Sequence, residues 1–114
     1  MLNTTIRARF TALQRKTSPI AVAPFVVLGV PTSEPLRILK ISNNTDQDIL
    51  ISTDGVTPMD FIAANGFVLY DLGTNRASMG STLQFAAGTQ FWVAAATAPT
   101  TTGDVTLTGI YSGV

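Results

Sequence analysis

The chain has 114 residues, of which 46% are hydrophobic and 12% are charged, and its seven basic and seven acidic side chains leave no formal net charge. This length fits one domain, and high hydrophobicity with low net charge excludes an intrinsically disordered chain. Histidine and cysteine are both absent, which excludes disulfides, thiol nucleophiles, Ser-His-Asp triads and the usual zinc sites. No apolar run approaches the length of a membrane-spanning helix, so we expect no membrane partner.

The N-terminal segment is basic. Four of the seven basic residues precede position 17, whereas the first acidic residue is Glu34. We therefore divide the chain into a basic arm, residues 1–18, and a body, residues 19–114. The arm residues that we expect to contact a partner are Leu2, Ile6, Arg7, Arg9, Phe10, Leu13, Arg15 and Lys16.

The apolar side chains of this arm recur at spacings of four, four and three, which is typical of one face of a helix. Their burial would not offset the entropy lost by ordering the arm, so the arm needs a surface, either its own body or a neighbouring protein. Whether the arm is helical or extended stays open. Its basic residues could meet an acidic protein surface or nucleic-acid phosphates, or lie in a solvated tail. So few charges make nucleic acid an unlikely partner.

Turn and strand signals alternate through the body, and its prolines rule out a continuous helix near its start. The clearest strand is the last, where side chains alternate from Asp104 to Ser112. Gly88 lies between two strand segments and predicts a hairpin. About seven or eight short strands indicate an all-β domain, either a β-sandwich or a small jelly-roll-like barrel. The main predicted strands are Leu36–Ser42, Ile49–Ile51, Phe67–Leu72, Leu83–Ala86, Phe91–Ala96 and Asp104–Ser112.

Four aspartates, Asp46, Asp48, Asp54 and Asp60, lie within fifteen positions of one another and are the main candidates for chemistry. Two of them could form the carboxylate pair of a hydrolase, and the group could supply oxygen ligands to calcium. Each lies beside turn residues, however, where aspartate is common for backbone reasons. Their spacing also matches no calcium loop. We therefore expect no catalytic residue, no metal site, no cofactor and no enzyme activity.

The aromatic residues fall mostly inside predicted strands, where core packing is their expected role. Phe91 and Trp92 are adjacent in one predicted strand and must point to opposite faces of it. Trp92 is therefore a possible interface aromatic, since large aromatics are favoured at protein interfaces. The alternative is a carbohydrate platform formed by Trp92 or Tyr70.

The body contains, in order, a strand with a polar turn, a strand with an Asp-Gly turn, an aromatic strand and a closing strand. The segments are Ile41–Asp46, Ile49–Gly55, Asp60–Ile62, Tyr70–Leu72 and Gly103–Tyr111. Over about residues 36–114, this succession resembles the small β-sandwich virion structural proteins of tailed bacteriophages, which include capsid decoration (cement) proteins and neck or tail components. The resemblance implies a virion structural role, assembly into symmetric oligomers and no catalysis.

We therefore expect a non-enzymatic structural protein of a bacteriophage particle, made in the host cytoplasm and carried in the virion. The most specific hypothesis is a capsid decoration subunit that binds the major capsid protein, or neighbouring virion proteins, and its own copies, with a trimer favoured. The arm would fold on contact with an acidic shell. The alternatives are a neck, tail or fibre-base component and a carbohydrate-binding β-sandwich module.

Overall fold

The computed structural model describes residues 7–72 and 84–113. In these ranges the chain forms nine β-strands in two antiparallel sheets, which confirms the predicted all-β sandwich with slightly more strands than expected. These ranges contain no helix that could cross a membrane. The strands are β1 (Arg7–Phe10), β2 (Gln14–Thr17), β3 (Val26–Val27), β4 (Ile38–Asn43), β5 (Ile49–Ser52), β6 (Asp60–Ile62), β7 (Phe67–Asp71), β8 (Trp92–Ala95) and β9 (Asp104–Gly113).

The five-stranded sheet is built around β9, its longest strand. Its order is β1-β9-β4-β7, and β2 pairs with β9 on the same side as β1. β1 lies along the C-terminal half of β9, where Phe10 opposes Ile110, and β2 lies along the N-terminal half, where Gln14 opposes Leu107. β7 is the opposite edge of the sheet among the described strands.

The second sheet has four strands in the order β3-β8-β5-β6, and it packs on the first through one apolar core. The alternation predicted for the last strand is present, because Val105 and Leu107 of β9 are buried and point inward. Inward-pointing side chains at alternate positions of the other strands pack against Val105 and Leu107. The buried cluster contains Ile20, Leu28, Leu36, Leu39, Ile41, Ile49, Ile51, Ile62, Phe91, Val93, Val105 and Leu107.

The arm is extended where the structure describes it. Residues 7–10 and 14–17 are strands of the five-stranded sheet, so the helical alternative is wrong for them. The physical reason is that one side of β9 offers a row of backbone groups that an extended segment pairs with and a helix would leave unsatisfied. Leu2 and Ile6 lie outside the described residues.

The predicted hairpin around Gly88 does not form. β8 pairs with β3 on one side and β5 on the other, so it has no free edge for residues 84–86. Phe85 forms an isolated bridge with Leu36 instead. Leu83, where the predicted strand would begin, lies outside the described residues.

Candidate interaction surface

Two of the four candidate aspartates hold loops together at one end of the sandwich. Asp46 accepts hydrogen bonds from the backbone N–H of Thr101, at 2.9 Å, and from its hydroxyl. The side-chain bond from Thr101, followed by the backbone bond, lowers the pKa of Asp46 below its usual 3.8. Asp48 accepts a bond from the backbone N–H of Ala64, at 3.0 Å. These carboxylates therefore tie the loop between β4 and β5 to the loop before β9 and to the turn between β6 and β7.

The other two aspartates lie elsewhere. Asp54 accepts bonds from the backbone N–H groups of Thr57 and Val56 and from the Ser52 hydroxyl, which together hold its pKa well below the usual range. Asp60 accepts a bond from the Tyr70 hydroxyl. Among the described residues no three potential metal-ligating side chains come together. The sequence cluster of aspartates is therefore divided between separate turns.

A buried asparagine, not singled out by the sequence, joins two turns. Asn43 is completely buried at the end of β4, and its side-chain N–H groups donate to the carbonyls of Gln47, Ile62 and Ala63 at 2.8–3.2 Å. Its carbonyl accepts from the Thr45 hydroxyl at 2.6 Å. A fully bonded buried amide fixes the relative position of these turns.

Trp92 lies on the outward side of the four-stranded sheet, while Phe91 is buried in the core, so the two rings occupy opposite sides as predicted. The turn at Gly55 lies against the indole, since a Cβ added to Gly55 would be 3.0 Å from Trp92 Cδ2. Gly55 also has a φ of +77°, which favours glycine. One face of the indole is thus covered by the chain itself, and a sugar ring cannot stack there.

An open cleft of about 260 Å³ lies beside Tyr70, between the two sheets. Tyr70 is half-buried, and its ring contacts the Phe85 ring edge-on, with centroids 5.9 Å apart. Burial, and then the bond to Asp60, raise the pKa of the Tyr70 hydroxyl above its usual range. The hydroxyl is therefore a protonated donor held by the protein.

The arm residues divide between the two sides of the sheet. Arg15 forms an ion pair with Asp104, at 2.9 Å, next to the start of β9. Phe10 is 72% exposed, and Leu13, between β1 and β2, is also exposed. In the strand register, Arg9 opposes Tyr111 and Lys16 opposes Val105. Arg9 and Lys16 therefore lie on the same side of the sheet as the core-facing residues of β9. The backbone of Arg7 pairs with Gly113. The described arm residues thus do not form one contiguous basic patch.

The outward side of the five-stranded sheet carries large exposed apolar side chains. We call it the outer face. Along β4, Leu39 is buried and Lys40 is exposed, so Lys40 points to the outward side of the sheet. Residues paired across neighbouring strands point to the same side, so the register identifies the other residues of this face. Phe67 is 62% exposed and Leu69 56% exposed. The outer face includes Phe10, Ile38, Lys40, Phe67, Leu69, Asp71 and Ile110.

The outer face carries two groups of apolar residues: a row of Phe10, Ile110 and Ile38, and the pair Phe67 and Leu69, whose β4 partners are Ser42 and Lys40. Phe10 opposes Ile110, and Ile110 opposes Ile38 on the next strand. The Lys40 ammonium lies 4.8 Å from the centre of the Phe67 ring, so this cation covers part of the aromatic surface. The sequence did not reveal this face, because all four residues of Phe67–Tyr70 are apolar and no alternation marks which side is exposed.

Comparison of the chain with protein-family models, with curated proteins and with solved structures finds no match. The fold and the outer face are therefore the features of the chain that bear on its function.

Proposed function

We propose that this protein is a non-enzymatic structural subunit of a bacteriophage particle, and that it acts as a capsid decoration subunit. The observation that carries the proposal is the outer face, with its exposed Phe10, Phe67 and Leu69. Soluble monomers rarely expose large contiguous apolar patches, and such patches mark contacts with other proteins. A chain with only 12% charged residues also has little repulsion to keep its copies apart.

The hydrogen bonding of the aspartates supports a structural role. Asp46, Asp48 and Asp54 accept bonds from backbone N–H groups of the turns that they hold. A general acid or base needs a carboxyl group directed at a substrate with a pKa near the working pH. Hydrogen bonds instead lower the pKa of Asp46 and Asp54, which suits fixed ionised caps.

The outer face also suits a repeated shell. It is broad and contains an apolar band with Lys40 and Asp71 beside it. Many identical weak contacts on one particle add up to firm attachment through multivalency. A decoration subunit can therefore hold a shell without one very tight interface.

The test is quantitative mass spectrometry of purified tailed-phage particles from the source of this chain. A decoration subunit is expected at a copy number comparable to that of the major capsid protein. A copy number that fits a single ring or vertex would favour the neck, tail or fibre-base alternative. Absence of the chain from purified particles would overturn the proposal.

A further inference from the structure

The edge of β7 away from β4, which no described strand covers, has its backbone groups set for a further strand. Two bonds fix which residues of β7 face β4: Asn43 N–H donates to the Gly66 carbonyl, and Leu72 N–H donates to the Arg37 carbonyl, both at 2.8 Å. In an antiparallel ladder this direction alternates along each strand. Even-numbered residues of β7 therefore bond to β4, and Phe67, Leu69 and Asp71 direct their N–H and C=O groups to the open edge.

Few of the usual features that prevent pairing occur in β7, whose one charged side chain is Asp71. The sequence of β7 is FVLYD, which contains no proline, lysine or arginine. Its five residues pair with β4 in unbroken register. Among residues 7–72 and 84–113, no strand lies on its outer side. A regular apolar edge of this kind is a template for another chain.

We propose that β7 pairs antiparallel with β7 of a second copy of this chain, around a twofold axis at Leu69. The two five-stranded sheets then become one continuous sheet. Centring the pair on Leu69 uses all five residues of the strand, so that Leu69 opposes Leu69 of the second copy and Phe67 opposes its Asp71. The inference deepens the proposed structural role and rests on it for the reason to self-associate.

Charge complementarity supports this register. Lys40 lies over the Phe67 ring, with its ammonium 4.8 Å from the ring centre. Because Phe67 opposes Asp71 of the second copy, the twofold axis places that carboxylate beside the Lys40 ammonium. The same contact occurs twice, once at each end of the paired strands, as a twofold interface requires. A twofold axis at Asp71 would instead place two like charges together.

The paired sheet also extends the outer face. Phe67 and Leu69 point to the same side as Phe10 and Ile110 in each copy. Two copies therefore present one wider apolar surface to a shell. A five-residue edge is small for a stable interface, so we expect a weak, concentration-dependent dimer in solution. This contact is twofold, whereas the trimer favoured from the resemblance would need a threefold contact elsewhere.

The test uses single cysteines, because the chain contains none of its own. Residues directly opposite in an antiparallel pair have Cα atoms about 5.5 Å apart, within the range of a disulfide. Leu69→Cys should therefore give a disulfide-linked dimer under mild oxidation. Val30→Cys is the matched control, since Val30 is 61% exposed and lies on a loop beside Thr11 and Gln14, away from β7. Phe67→Cys is the register control, because two such residues would lie about 14 Å apart along the strands.

We expect Leu69→Cys to cross-link faster than either control by roughly a factor of ten or more. Equal rates for Leu69→Cys and Val30→Cys would overturn the pairing, and faster linkage of Phe67→Cys would overturn the register. If Leu69→Cys melts early by circular dichroism, the double variant Phe67→Cys/Asp71→Cys tests the same register. The assay contains only the purified chain, so its result is independent of whether the chain occurs in phage particles.

Discussion

The two edges of the five-stranded sheet differ in shape and in charge. At one edge, Phe10 opposes Ile110 and Gln14 opposes Leu107. The arm therefore advances four residues over a length in which β9 advances three. This extra residue is a bulge, and it interrupts the edge that β1 and β2 form. At the other edge, β7 is continuous and carries a single charge, Asp71. The bulge and the basic residues Arg9, Arg15 and Lys16 close the first edge to a further strand, whereas no described strand pairs with the outer edge of β7.

The basic arm completes the five-stranded sheet. Its pairing with β9 converts the longest strand of the chain from an edge into an interior strand. Without the arm, the alternate residues of β9 that direct their backbone groups away from β4 would be left unpaired. Among the described strands, the open edge of this sheet is instead the short β7, which limits association to weak contacts.

Deletion of residues 1–17 should produce the largest effect. It removes four residue pairs between β1 and β9 and four between β2 and β9. At 0.5–1 kcal/mol for each backbone hydrogen bond, the loss of unfolding free energy is about 4–8 kcal/mol, comparable to the whole stability of a small domain. Urea denaturation measures it. Deletion of residues 1–6 alone is the matched control, and equal losses from both deletions would contradict the structural role of β1 and β2.

Proline substitutions test which backbone groups of β7 face the open edge. Val68→Pro should cost about 3 kcal/mol, because it removes an N–H that bonds to β4. Leu69→Pro should cost only about 1 kcal/mol, because the Leu69 N–H faces away from β4 and prolines are tolerated at such edge positions. Thermal unfolding compares the two variants. A larger loss for Leu69→Pro than for Val68→Pro would reverse the assigned directions.

Acid should loosen the loop that precedes β9, which Asp46 holds, before the rest of the fold. Hydrogen bonds from Thr101 and Thr102 lower the pKa of Asp46 below 3.8. Because the folded pKa is the lower one, the stability from Asp46 is present above pH 3.8 and is lost as the pH falls through the folded pKa. Amide hydrogen exchange should therefore rise first at Thr101 and Thr102, whose backbone N–H groups donate to Asp46 just before the start of β9. Asp46→Asn should remove this pH dependence, and its persistence in that variant would contradict the assignment.

The ion pair at the closed edge should contribute least. The Arg15 side chain is 56% exposed where it meets Asp104, so solvent screens the attraction. Arg15→Ala should lower the free energy of unfolding by no more than about 0.5 kcal/mol. The same denaturation assay measures this change. A loss of several kcal/mol would mean that the charge, rather than backbone pairing, holds the arm.

The sequence predicted the strands whose local patterns are strong. Alternation identified β9, and Asn65-Gly66 and Asp54-Gly55 marked turns in which Asn65 and Gly55 do adopt positive φ. β1 and β2 were missed because the apolar spacing around Phe10 and Leu13 fits a helix. Only pairing with β9, almost a hundred positions away, makes this segment extended. Non-local pairing of this kind leaves no local signal.

The outer face was equally hidden. Sequence reasoning selected Trp92 as the interface aromatic, but the turn at Gly55 covers one face of its ring. Phe67 is the more exposed aromatic, and only its register with Ser42 shows that it points away from the core. The sequence correctly associated the aspartates with turns. It did not predict their distant hydrogen-bond partners, Thr101 and Ala64, because these contacts depend on how the loops meet in the fold.

The most direct test of the difference between the two edges is solution mass by light scattering over a wide concentration series. The wild-type chain should pass from monomer to dimer as concentration rises. Leu69→Lys, which places a charge at the centre of the open edge, should stay monomeric, while Val30→Lys should dimerise like the wild type. A wild-type chain that is monomeric throughout, or a Leu69→Lys variant that dimerises equally well, would contradict the assignment of β7 as the open edge.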